Sequence, residues 1–189
     1  MPSKVRSEVG IGKWHDIEVE DDVTCYMEFP DGASGMFLSS TGETPGSNRF
    51  ELAGTKGRLI LENDKLVFTK NAVPSDEWCK TSKIGFQQPD TTVEEIPIPP
   101  AEDPHAVLMT NFVDAILDGK ELIAPGEEGL GSVELANVML YSGLLGETVD
   151  LPMDGAAWES KLNQLIAEST HEKKVVEVSG EDFAASFRR

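Results

Sequence analysis

Residues 39–49, Ser-Ser-Thr-Gly-Glu-Thr-Pro-Gly-Ser-Asn-Arg, gather hydroxyls, a carboxylate, an amide and a guanidinium into one short run. Thr41, Glu43, Asn48 and Arg49 can donate to and accept from the hydroxyls of a polyhydroxylated ligand. Gly42 and Gly46 let the backbone approach such a ligand closely. A hairpin needs only about two to five loop residues, so the run is longer than chain reversal requires. A plain long loop built around the Pro45-Gly46 turn would have the same composition, and composition alone leaves both readings open.

The other chemistry-bearing residues are sparse. His15 stands beside Trp14, just ahead of a strand pattern, where an imidazole that titrates near neutrality can line a pocket; an exposed or hydrogen-bonded strand-start histidine is the alternative. His105 falls in the first turn of a helix and reads as a surface or packing residue, and His171 lies in a polar tail. Glu18, Glu20, Asp21 and Asp22 suggest a cation site or, more simply, a solvated strand edge. No metal site and no catalytic residue is therefore assigned. Gly10-Ile11-Gly12 lacks the third glycine and the following helix of a dinucleotide site, and there is no Walker A, G-x-S-x-G or H-E-x-x-H sequence.

With 34 acidic against 16 basic residues the formal charge is −18, a field that repels phosphate backbones and anionic membranes. Nucleic acid and membrane are excluded as expected partners. No apolar run approaches the roughly 18 residues of a membrane span, and the first ten residues lack the apolar core of a secretory signal. Cys25 and Cys79 form neither a CxxC pair nor a disulfide framework, so a cytoplasmic location is the simplest expectation.

The elements that would position these residues are strands first and helices after. Val23, Cys25, Met27 and Phe29 alternate with polar positions as one strand, Pro30-Asp31-Gly32 turns, and residues 33–40 return. Residues 49–53, 58–62 and 65–70 continue the meander, and residues 91–98 add a strand that its prolines confine to an edge. Three helices are expected: after the Asp103-Pro104 start as far as Gly119, over about Glu127 to Leu145, and after Asp154. The expected class is α+β, an open, mostly antiparallel sheet with about three helices packed on one face. Residues 1–169 form one domain in this reading, and 170–189 form a tail whose Val-Val-Glu-Val adds an edge strand.

Two long runs, HDIEVEDDVTCYMEFPDGASGMFLSSTGETPGSNRFELAGTKGRLILE and FVDAILDGKELIAPGEEGLGSVELANVMLYSGLLGETVDLPMD, carry a family resemblance. Over about His15 to Ser169 the chain resembles the C-terminal domain of the Gfo/Idh/MocA oxidoreductases, relatives of glucose-fructose oxidoreductase and inositol dehydrogenase. The ordered set strand-Asp-Gly-strand, Ala-Gly-Thr-x-Gly, Phe-x-x-Ala-Ile-x-x-Gly-Lys and Pro-Gly-Glu-Glu-Gly is what makes it specific. The resemblance implies an NAD(P)-dependent sugar or polyol dehydrogenase whose N-terminal Rossmann domain binds the nucleotide. Its C-terminal domain binds substrate and assembles a homo-oligomer, a homodimer in the simplest case, through the open sheet face. The glycine fingerprint and the Glu-Lys-Pro motif with the family's catalytic lysine are not found here. The chain therefore reads as the substrate half, not competent for hydride transfer alone, with NAD(P) expected in the full-length parent. His15, Thr41, Glu43, Asn48 and Arg49 are the expected substrate contacts. A non-catalytic dimerisation or scaffold module is the alternative, since Met36 and Leu38 on one side and Phe37 on the other make both faces of the second strand apolar.

Overall fold

In a computed structural model, residues 1–99 and 103–172 are described. They fall into two units, Met1–Glu43 with Pro125–Arg189, and Thr44–Ala124. The first unit holds strands β1 (Lys4–Ile11), β2 (Glu20–Glu28) and β3 (Ser34–Ser40), helix α3 (Glu128–Leu145), strand β8 (Val149–Asp150) and helix α4 (Gly155–Glu168). The second holds β4 (Arg49–Gly54), β5 (Gly57–Glu62), β6 (Lys65–Asn71), helix α1 (Ser75–Thr81), β7 (Thr91–Ile96) and helix α2 (Pro104–Asp118).

The α+β class holds, and the strands divide over two four-stranded antiparallel sheets, β3-β2-β1-β8 and β4-β5-β6-β7, where one meander was expected. The break falls in the polar run. Ser40 is the last residue paired with β2 and Arg49 the first paired with β5. Between them Gly42, Pro45 and Gly46 favour turns over a continued ladder. Strand β1 was not expected from sequence, nor was α1, which lies inside a segment that reads as irregular. Strand β7 is an edge, as its flanking prolines require.

The core of the first unit forms where α3 crosses β1, β2 and β8. Val5, Cys25, Val138 and Met139 are buried there, flanked by Val23, Met27, Leu135 and Val149. Full burial of side chains such as Val5, Val138 and Met139 is worth about 1.5–3 kcal/mol each. Helix α4 joins through Trp158, whose ring meets Tyr141 edge-on at 5.7 Å between centroids. Helix α2 belongs to the second unit. It begins as the sequence prescribes, with Asp103 accepting the His105 amide at 3.0 Å and Pro104 in the first turn, and it ends at left-handed Gly119. None of its residues is buried, so its apolar stripe does not pack as the sequence pattern suggests. The expected tail strand lies outside the described residues.

Candidate functional site

Strand β2 opens with two adjacent aspartates that organise the β1–β2 connection. The Asp21 carboxylate accepts the amides of Lys13 at 2.9 Å, Trp14 at 2.7 Å and His15 at 2.9 Å, and lies 3.2 Å from His15 Nδ1. Burial raises its pKa, but the Trp14, Lys13 and His15 amides and the His15 ring together outweigh burial and hold it below the ordinary aspartate value. Asp22, the neighbour on the opposite parity, accepts Trp14 Nε1 at 3.1 Å and pairs with Lys13 Nζ at 3.0 Å. Those bonds from Trp14 and Lys13 depress the Asp22 pKa as well.

Strand β3 delivers Thr41 to the same place. Its amide bonds the Asp21 carbonyl at 3.0 Å, and its hydroxyl sits 3.3 Å from His15 Nδ1. Two glycines are required here. Gly12 has φ 54°, and a Cβ there would meet the Ile17 carbonyl oxygen at 2.4 Å. A Cβ on Gly42 would meet the Trp14 indole at 2.3 Å, so the backbone lies directly against the ring. The outcome is a rigid corner presenting a half-exposed imidazole, a hydroxyl, an indole and an ammonium.

Of the five expected contacts, the structure brings His15 and Thr41 together. Glu43 is exposed at the end of the same unit. Asn48 and Arg49 belong to the second unit, where the Arg49 guanidinium bonds Glu51 at 2.6 Å and Glu62 at 2.9 Å across β4 and β5. The residue that sequence reasoning missed is Asp21. A signal for it was present, because Asp21 shares the strand parity of Val23, Cys25 and Met27, and a carboxylate on a core-facing position needs partners.

Gly10 and Gly12 lead from β1 through this connection into β2, so no helix N-terminus follows this glycine pair as in a pyrophosphate-binding turn. Among the described residues no cluster of three or more His, Cys, Asp or Glu is arranged to hold a metal, and no helix is long and apolar enough to cross a membrane. An apolar cavity of about 560 Å³ lies between residues 17–20 and helices α3 and α4, lined by Leu140, Leu144, Leu162 and Ile166. Of its three lining carboxylates, Glu18, Glu20 and Glu168, Glu18 is already bonded to Ser169 and Thr170.

Residues 1–60 match the family model described as the GFO/IDH/MocA C-terminal domain. The matched segment is similar to that domain and makes up 60 of the 189 residues. It contains β1, β2, β3 and the whole His15–Asp21–Thr41 corner. Solved structures extend the likeness at the level of fold. An NAD-binding protein from Listeria innocua shares 21% identity at a TM-score of 0.59 over 79% of this chain and 41% of its own. An aldose-aldose oxidoreductase from Caulobacter crescentus, complexed with glycerol, shares 20% at 0.59 over 79% of this chain and 41% of its own. A levoglucosan dehydrogenase in complex with NADH and levoglucosan shares 16% at 0.58, over 81% of this chain and 46% of its own. The chain thus spans less than half the length of these structures. No curated protein matches it.

Proposed function

We propose that this chain, over residues 1–169, is the substrate-binding domain of an NAD(P)-dependent oxidoreductase acting on a sugar or polyol. The observation that carries the reading is the Asp21-anchored corner, which sets His15 and Thr41 side by side in the segment that matches the family. A glycerol complex and a levoglucosan complex among proteins of similar fold support polyhydroxylated substrates. Glu43, Asn48 and Arg49 complete the set of contacts in this proposal. Hydride transfer is not assigned to the chain in this proposal; NAD(P) belongs to the domain that completes the enzyme.

The test is calorimetry of the chain against a panel of sugars and polyols that includes glycerol and levoglucosan. It is followed by turnover assays with a nucleotide-binding domain supplied. Binding by at least one compound, weakened tenfold or more by Thr41→Val, and NAD(P)-dependent turnover of that compound are expected. A broad panel that yields neither heat nor turnover rejects the substrate class.

A second reading, compatible with the first, is self-association through the open face of the β3-β2-β1-β8 sheet. Met36 and Leu38 are each 67% exposed on the face opposite the core, and Tyr26 lies directly across from Met36. Such an apolar stripe on a sheet face is suited to a second copy. Sedimentation at high concentration is expected to show a dimer that Met36→Lys with Leu38→Lys disrupts, and a wild-type monomer rejects it.

A further inference from the structure

We infer that Asp21 is a positioning residue that holds His15 as the Nδ1–H tautomer, leaving Nε2 as a hydrogen-bond acceptor for a ligand hydroxyl. The Asp21 side chain is 1% exposed and the His15 side chain 49% exposed, so the carboxylate is fixed inside while the ring reaches solvent. Three amides of consecutive residues, Lys13, Trp14 and His15, converge on that carboxylate and fix the backbone from which the ring projects.

The tautomer follows from donor and acceptor accounting. An ionised carboxylate only accepts, so the 3.2 Å approach of His15 Nδ1 to Asp21 Oδ2 is attractive only when Nδ1 carries the proton. Thr41 agrees with this. Its hydroxyl directs its own hydrogen to the Asp21 carbonyl at 3.3 Å, which leaves its oxygen facing Nδ1–H at 3.3 Å. A neutral ring protonated at Nδ1 carries its lone pair on Nε2, and Nε2 has no partner among the described residues. An unpartnered ring acceptor of this kind suits a ligand that donates O–H, which a polyol does. The inference rests on the proposed function only for the identity of that ligand; the tautomer is a property of the free chain.

Long-range ¹H–¹⁵N spectra of the labelled chain, at a pH where the ring is neutral and with His15 assigned through His15→Gln, decide it. The wild type is expected to show the Nδ1–H pattern. Asp21→Ala, which removes the acceptor, is expected to shift the ring toward Nε2–H. Thr41→Val, which retains Asp21, is expected to keep the wild-type pattern even if Asp21→Ala fails to fold. A wild-type Nε2–H pattern, an unchanged pattern in a folded Asp21→Ala, or loss of the pattern in Thr41→Val each overturns the assignment. Glycerol or levoglucosan is expected to shift the Nε2 resonance. Calorimetric binding without that shift overturns the acceptor role and leaves the proposed function standing, whereas absence of both heat and shift rejects the polyol reading.

Discussion

The hydroxyl of Ser142, on α3, accepts the backbone amide of Ser7, on β1, at 3.0 Å across 135 positions of sequence. Strand β8 pairs only with Lys4 and Val5, so β1 runs on past its short neighbour and the helix supplies the missing partner. The same hydroxyl lies 2.6 Å from the Glu147 carbonyl, to which it donates. Ser142→Ala leaves the buried Ser7 amide without an acceptor and is expected to lower stability by about 1–3 kcal/mol. Ser7 Oγ, in contrast, is buried with no partner among the described residues. Ser7→Ala is therefore expected to leave stability unchanged or slightly raised. Urea unfolding of both variants checks the pair, and equal losses would contradict the accounting.

Two glycines of α3 should respond oppositely to the same substitution. Alanine is favoured over glycine inside a helix by about 1 kcal/mol. At Gly143, however, a Cβ would sit 2.5 Å from one Val9 methyl and 2.8 Å from the other, and β-branched Val9 has little rotamer freedom. Overpacking of this kind costs about 1–3 kcal/mol, so the clash wins and Gly143→Ala is expected to destabilise. Gly129 has nothing within 4 Å, and Gly129→Ala is expected to stabilise. Thermal melts showing the same sign for both would refute the close approach of α3 to β1.

Glu18 gives the first unit an acid-sensitive tie. The Ser169 hydroxyl, then the Thr170 amide and hydroxyl, bond its carboxylate and lower its pKa from 4.5 to about 2. A depressed carboxylate contributes stability that is fully present above its unfolded pKa and lost as pH falls through the folded one. The melting-temperature difference between wild type and Glu18→Gln is thus expected to be constant well above pH 4.5 and to fall steadily as pH drops towards 2. Subtracting the variant removes the contributions of Asp21 and Asp22, which are depressed as well. A difference that does not fall between pH 4.5 and pH 2 would dismiss the tie.

Arg49 separates a binding role from a structural one. Its bonds to Glu51 and Glu62 join two strands at the surface, where ion pairs contribute little to stability. Arg49→Ala is expected to leave the melting temperature nearly unchanged while weakening polyol affinity about tenfold or more in the completed enzyme. Unchanged affinity would remove Arg49 from the proposed contacts.

How far the sequence discloses this molecule depends on whether a residue's partners are near it in the chain. The hairpin of β2 and β3 and the helix starts at Asp103 and Asp154 are local, and each was legible. Strand β1 was not, because Ser7 interrupts the apolar alternation of Val5 and Val9 and its partner is Ser142 on a distant helix. His15 and Thr41 were legible as candidates by type. Asp21 was hidden among neighbouring carboxylates, although strand parity already pointed it inward.

The interruption between Ser40 and Arg49 has a consequence in time. Thr44–Ala124 is one continuous stretch, so every strand of the β4-β5-β6-β7 sheet leaves the ribosome before Pro125 does. Strand β1 must wait for α3 and β8. From the end of β3 to the end of β8 the chain grows by 110 residues, so at about 5–20 residues per second that delay is roughly 6–22 s. During it, Val5 and Cys25 lack the cover of Val138 and Met139. Through that interval the core face of β1, β2 and β3 is without its helical cover, and that face is the surface a chaperone would meet.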